Sequence, residues 1–515
     1  MACLGVFVAY LPVTTVSASL PAIQQALGAS TAQLSWISDA FVLPMAAFIL
    51  STGVFGDVHG RKKVYLAGLV CCAAGAAIAL SATSVEVIWV GQAFSGLGAA
   101  ALLPTTLALI SDVVPDFRER GKFIGFWAMS LMGALAVGPL IAGALLEHVS
   151  WRWIYLPPIP VALLAVVVGA TTLSDSRAAA HGRHLDWAGQ ITAAVAIVGL
   201  VYGVIEGGAG SFTQVRVVVA LAAAVLGGAA FVVVERRSTS PMLDLRLFRS
   251  PGFTATTLVA MISFLGLIGF FFVLSLYFGM VQQLDTLQAG WRLLMVTLPA
   301  LLVGGPVGHL LHRTSARILI TGGLLVVTGS LASLLTVGAD TSFLSISWRL
   351  ILLGLGMGVV ITPMTATAVA SVPYPLAGMA AAGNNAFRQV GGALGPAVLG
   401  TLLTTRALDT LPGHLADAGL SAADQQRAVA LAESGGPGAG AANVDAGSAR
   451  VLAALGDSFL DGLHLCLLVA AVLTLVAAAV GFVLLGRPSP ASLDAAPRAG
   501  RGGEPAREAV AGARP

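Results

Sequence analysis

Apolar runs of about twenty residues recur along the whole chain, at about 2–20, 34–55, 64–83, 87–110, 124–146, 153–173, 187–206, 215–235, 253–280, 290–311, 317–337, 345–370, 384–405 and 459–485. A helix rising about 1.5 Å per residue needs about 20 residues to cross a hydrocarbon core about 30 Å thick, so each run can span a bilayer. Backbone in lipid must satisfy its own hydrogen bonds, which leaves helices or a closed barrel. Barrel strands are about ten residues long and alternate in polarity, and these runs do neither. The expected fold is an all-α polytopic membrane protein of about fourteen helices. Composition agrees, with 57% of the 515 residues hydrophobic and only 10% charged, against about a quarter charged in soluble domains.

The same composition excludes several functions. A net charge of +3, spread over loops, gives no ground for nucleic-acid binding. Cys3, Cys71, Cys72 and Cys466 all lie in apolar runs without metal or disulfide spacing. There is no nucleotide-binding glycine loop, no metal-spaced His or Cys cluster, and no Ser-His-Asp set in polar context. An enzyme is therefore not expected, nor a cofactor or metal. The first run has no basic region before it and no cleavage pattern after it, so no signal peptide is expected.

Charge asymmetry orients the runs. Arg61, Lys62 and Lys63 follow the second, Arg118, Arg120 and Lys122 the fourth, Arg177 and Arg183 the sixth, and Arg236, Arg237, Arg246 and Arg249 the eighth. Arg313 and Arg317 follow the tenth, and Arg487 and Arg498 the last, whereas Pro21–Gln33, Ser81–Val87 and Gly207–Val215 contain no Lys or Arg. Positive charge in short loops stays on the cytoplasmic side, so even-numbered helices end inside and both termini are expected to be cytoplasmic. The loop Ser371–Gly383 should also lie inside, yet carries no cation.

The stretch from Ser35 to Gly68 concentrates the polar chemistry. Asp39 stands within about twenty otherwise apolar residues, where an ionisable group costs roughly 2.5–3.5 kcal/mol on insertion scales and asks for a function. Partial hydration near the outer helix end is the alternative. The turn that follows holds Gly53, Asp57, Gly60, Arg61 and Lys62. A similar hairpin, Gly308 to Arg317, lacks the acid and the inner glycine but echoes its placement and cations. Repeated halves with the substrate site between them show this kind of weak symmetry.

These residues resemble the major facilitator superfamily, and within it the fourteen-helix drug:proton antiporter family, over nearly the whole chain. Gly53, Asp57, Gly60, Arg61 and Lys62 match that family's signature between helices 2 and 3. The resemblance implies a conformational switch in which Arg61 pairs with Asp112 at the end of helix 4 while Asp57 neutralises a helix N-terminus of the facing half. Gly133, Gly138, Pro139 and Gly143, followed by Ser150-Trp151-Arg152-Trp153, resemble the antiporter motif. Asn384 to Gly395 looks like the polar, glycine-rich helix 13, with Asn385, Arg388 and Gln389 facing the cavity or the partner half; a packing network is the alternative reading of those three.

Departures accompany the matches. Where the family usually has an acid and an Asn in helix 1 stand Pro12 and Ser17, and where it has an Arg and a Gln in helix 4 stand Gln92 and Ser95. Losing both members of a possible ion pair strands neither charge, but removes groups that the family implicates in proton handling. Leu276-Tyr277-Phe278-Gly279 replaces a region that tends to carry an amide, suggesting an altered cavity. Asp39 is left as the main acid of the first six helices and the expected proton-coupling residue, alternately holding a proton or favouring a cationic substrate.

The resemblance implies a six-helix half at 1–173, two extra helices with linkers at 174–252 and a second half at 253–486; the alternation of loops puts the long connection at about 406–457 outside, as an extracytoplasmic loop, and a Pro-, Gly- and Arg-rich composition without apolar periodicity predicts a disordered cytoplasmic tail at 487–515. A short helix near Asp424–Ala432 is conceivable in the loop, but its Gly-, Ala- and Pro-rich composition favours a solvated spacer. The expected function is proton-driven export of hydrophobic small molecules, such as drugs or antibiotics, across the inner membrane of a bacterium, by a monomer whose partners are substrate, protons and lipid. A transporter without standard proton coupling, or an importer, is the alternative, and a membrane sensor a remote one.

Overall fold

The computed structural model describes residues 1–114, 117–174, 186–311, 313–373, 376–435 and 449–486. The tail expected at 487–515, the linker cations Arg177 and Arg183, and the side chains of Asp57, Arg118, Arg120 and Lys122 lie outside what is described. Among the described residues there is no strand. Six helices come first: α1 (Ala2–Leu27), α2 (Thr31–His59), α3 (Arg61–Leu80), α4 (Val85–Val113), α5 (Phe117–His148) and, after a tight turn at Trp151–Tyr155, α6 (Pro158–Thr172). Then come α7 (Trp187–Ala209), α8 (Val215–Arg237), α9 (Pro251–Leu276), α10 (Thr286–Leu310), α11 (Ala316–Leu334), α12 (Phe343–Ala370) and α13 (Ala377–Asp417). A short α14 (Ala422–Gly435) and a long α15 (Ala449–Leu484) are the last helices among the described residues.

Thirteen of these helices are long and apolar enough to cross a membrane among the described residues. The remaining long one, α13, matches the run expected at 384–405, but its glycines, amides and Arg388 dilute its hydropathy. The turns follow local chemistry. Ser30 accepts from the Gln33 amide at 3.2 Å while the Gln33 side chain accepts from the Ser30 amide at 2.9 Å, a reciprocal cap that starts α2. Ser250, Ser315 and Ser342 cap α9, α11 and α12 in the same manner through one side-chain bond each.

Helix pairing exposes a duplication. In the first half α1 packs on α5, α2 on α4, and α3 on both α4 and α6. In the second, α9 packs on α13, α10 on α12, and α11 on both α12 and α15, which is the same order displaced by eight helices up to the inserted α14. The halves meet through α2 against α13 and α5 against α10, contacts that exchange under the same correspondence, and through α1 against α9. Helix α7 lies over the α2–α13 seam and touches both, while α8 packs on α7 and leaves Val218, Val219, Val225 and Leu226 exposed.

The segment 406–457 is not a spacer where it is described. Helix α13 runs on to Asp417, α14 forms, and α15 begins at Ala449. Leu411 and Leu415, Ala428 and Ala432, and Val451 and Leu455 close a small apolar core. Each pair stands four residues apart, one turn on a single helix face, which is why a segment of low overall hydropathy still folds. Ser421 accepts from the Asp424 amide at 3.3 Å and donates to its carboxylate at 2.6 Å, starting α14.

Candidate functional site

The basic turn between α2 and α3 is built on Gly60, whose φ of 118° is a backbone setting that side chains rarely tolerate. That turn lets α3 begin with its cations projecting to one end of the bundle, the end that also carries Arg236, Arg237, Arg313 and Arg317. Arg61 forms an ion pair with Asp112 at the last turn of α4 and donates to the Ala108 carbonyl at 3.4 Å. Lys62 donates to the carbonyls of Ala170 and Leu173, at 2.8 and 2.6 Å, and so covers the open C-terminus of α6. Gly53 of α2 faces Pro104 of α4, where an added Cβ would stand at ordinary contact, 3.4 Å from the Pro104 side chain.

Eight residues into α2, about 12 Å along its axis from Thr31, Asp39 is completely buried, and neither carboxylate oxygen has a hydrogen-bond partner. The expected alternative of partial hydration at a helix end is not met. Ser35 and Val42, one turn to either side on the same face, touch α13: the Ser35 hydroxyl lies 3.5 Å from the Pro396 carbonyl, and a Cβ at Gly392 would stand 3.6 Å from Val42. Asp39 thus belongs to the face of α2 that meets the other half.

On α13, Arg388 and Gln389 reach across to α1. The Tyr10 hydroxyl accepts from Arg388 at 3.2 Å and from Gln389 at 2.8 Å. Arg388 also bonds the Asn385 side chain, and its guanidinium lies 4.8 Å from the centre of the Phe264 ring on α9. Sequence reading had named the three α13 residues but neither Tyr10 nor Phe264, because a lone aromatic in an apolar run carries no signal of its partner.

The positions lacking charge converge. Pro12, Gln92 and Ser95 line one narrow cleft together with Thr15 and Tyr155. Gln92 donates to the Ile37 carbonyl at 3.4 Å, and Ser17 turns its hydroxyl onto its own helix at 2.7 Å. An acid and an arginine at these two helix positions would have faced each other; their absence leaves a neutral cleft.

The glycine motif of α5 divides in use. Gly143 abuts the backbone of Leu287 on α10, Gly290 of α10 would place a Cβ 2.6 Å from the Pro139 carbonyl, and a Cβ at Gly138 would collide with the Thr14 hydroxyl of α1 and stand 3.0 Å from the Thr15 amide nitrogen. Gly133 meets nothing within 4 Å. Arg152 donates to the Ala82 carbonyl at 2.5 Å, holding the turn after α5 against the α3–α4 loop. Tyr277, at the stretch expected to alter the cavity, donates instead to the Gly338 carbonyl at 2.7 Å, so it serves the α11–α12 turn.

Helix α7 adds contacts that sequence reading missed. Glu206, at the far end of α7, accepts from the Trp36 indole at 3.4 Å and stands 3.4 Å from Arg216. Gln190 donates to the Ala47 carbonyl of α2 at 2.8 Å, and Thr401 of α13 donates to the Val204 carbonyl at 3.1 Å.

Comparison with known proteins gives a consistent set of matches. The Major Facilitator Superfamily profile matches residues 2–396. The Tetracenomycin C resistance and export protein of Streptomyces glaucescens is 34% identical over 481 residues, 92% of this chain and 89% of that protein. The multidrug efflux pump LfrA of Mycolicibacterium smegmatis is 32% identical over 475 residues, 91% of this chain and 92% of its own length. Among solved structures, a bacterial homolog of the human lysosomal transporter Spinster, inward-facing and unoccupied, superposes with a TM-score of 0.64 at 16% identity, covering 95% of this chain and 97% of that one.

Proposed function

This chain belongs to the Major Facilitator Superfamily, and from that premise we propose that it is a proton-driven antiporter exporting hydrophobic small molecules, drugs or antibiotics among them, across the cytoplasmic membrane of a bacterium. Export as the direction is supported by relatives named for resistance and export that align over about nine tenths of the chain. Proton coupling rests on one observation: Asp39 is wholly buried, without a hydrogen-bond partner, on the α2 face that meets the other half. An ionised carboxylate left so would be strongly destabilising, whereas a protonated one is tolerable. Separation of α2 from α13 would wet that face and release the proton, so the proton's position follows the conformation. Each elementary charge moved gains about 2.3 kcal/mol per 100 mV, enough to support a modest substrate gradient.

The basic end is assigned to the cytoplasm, which puts both termini there, and the transporter acts as a monomer. Gly53, Asp57, Gly60, Arg61, Lys62 and Asp112 then form the inner switch, and Gly138, Pro139 and Gly143 the outer seal, with Gly133 available to a state in which α5 has moved.

The neutral cleft at Pro12, Gln92 and Ser95 favours a second reading, a transporter of this superfamily without the usual coupling, or an importer. Inverted vesicles loaded with a pH dye separate the two. Substrate-dependent loss of the pH gradient by the natural protein, and its absence in Asp39→Asn, is the expected result. Substrate movement without proton movement in both proteins would sink the coupling, and uptake in place of export would sink the direction.

A further inference from the structure

Arg388 is 6% exposed at the meeting of α1, α9 and α13, and no carboxylate pairs with it among the described residues. A buried charge without a counter-ion is among the costliest features that a protein can keep, and costlier still at membrane depth. The neighbours that hold Arg388 are neutral. Its Nη2 donates to the Tyr10 hydroxyl and to Asn385, and its plane lies by the Phe264 ring. These contacts fix the guanidinium without cancelling its charge. Its Nε makes no hydrogen bond, and neither does Nδ2 of Asn384, one turn earlier and 2% exposed.

Both unsatisfied groups are donors, and one is a cation. Surplus N–H groups and a positive charge at the meeting of the two halves are complementary to an acceptor-rich anion, and the planar guanidinium suits an oxyanion whose charge is shared between two oxygens. The position also fits a ligand: Tyr10 belongs to the first half and Arg388 to the second, at the interface where transporters of duplicated architecture hold their substrates.

We propose that Arg388, oriented by Tyr10, Asn385 and Phe264, is the counter-charge for an anionic group of the exported molecule, so that preferred substrates are apolar bodies carrying one carboxylate. Asn384 supplies a second donor to the same group. The inference rests on the export reading for its biological sense, but the site can be tested apart from it.

The test uses the full-length protein in lipid nanodiscs and two probes that differ in one charge, pyrene-1-butyric acid and its methyl ester. Binding is read by energy transfer from tryptophan to pyrene, with empty nanodiscs as baseline. The natural protein should bind the acid roughly 10- to 100-fold more tightly than the ester, the range expected of a hydrogen bond to a charged group. Arg388→Gln should lose that preference while its ester affinity stays within about twofold, and Arg388→Lys should keep part of it. Equal binding of acid and ester by the natural protein overturns the proposal without any variant being needed. Equal loss of both probes in a folded Arg388→Gln overturns it as well, since that marks a residue that only holds helices together. In inverted vesicles, movement of neither probe with the binding preference intact would remove the export reading and keep the site. Transport of the ester with no preference for the acid would do the reverse.

Discussion

At the scale of single residues, the Arg61–Asp112 pair does little for stability. Its side chains are 15% and 29% exposed, and ion pairs open to solvent contribute about 0–1 kcal/mol. Its effect lies in geometry, since it ties the first turn of α3 to the last turn of α4 beside a Gly60 backbone that holds the turn in shape. Asp112→Asn should therefore leave unfolding stability within about 1 kcal/mol, while transport turnover falls on the order of tenfold, as expected if the pair biases a two-state element by about 1–2 kcal/mol. Exchange of the two charges in Arg61→Asp with Asp112→Arg should restore part of the turnover. Equal loss of stability and turnover, unrescued by the exchange, would reduce the pair to a structural tie. Asp112 could be named beforehand only because the resemblance to a known family supplied the partner of Arg61. The Arg388–Tyr10 contact could not be named, because 378 residues separate the two and nothing in either run encodes the packing of one half on the other.

At the scale of elements, the runs of about twenty apolar residues marked the spanning helices because lipid leaves the backbone no alternative, and the echo of the Gly53–Lys62 turn in the hairpin from Gly308 to Arg317 pointed to a repeated half. The same hydropathy criterion concealed the domain formed by the end of α13, α14 and the start of α15. Its apolar residues are few and lie among charges, so only their four-residue spacing betrays a core. Burial of Asp39 was hidden for a related reason: its depth along α2 is readable, but the cover provided by α13 is not. This small domain can be tested by Leu415→Asp, which puts an unpaired charge where the native side chain has no exposure. Trypsin cleavage after Arg427 or Arg450 should then rise at least about tenfold, the signature of local rather than global opening. Transport should stay within about twofold if the domain is an independent cap. A parallel collapse of transport would place the cap within the moving parts.

At the scale of the whole molecule, the structure is closed at the end away from the basic turn. Gly143 abuts Leu287, Gly290 meets the Pro139 carbonyl, Gly279 would place a Cβ 2.6 Å from Pro21, and Gly400 would place one 2.8 Å from the Ser35 hydroxyl. Each contact joins one half to the other, and each depends on a missing side chain. Packed interfaces of this kind are bistable rather than gradually deformable, so a wedge should favour the other arrangement instead of straining this one. Gly290→Leu places a branched side chain against the α5 backbone, where overpacking costs about 1–3 kcal/mol in the closed state alone. That would shift a two-state equilibrium by roughly 5- to 150-fold toward opening at this end. Spin labels on Val149 of the first half and Phe343 of the second should show a longer mean distance in the variant, with export lost and the folded protein still monodisperse. A distance distribution unchanged from the natural protein would mean that α5 and α10 are fixed to each other throughout the cycle, and that the halves rock about some other line of contact.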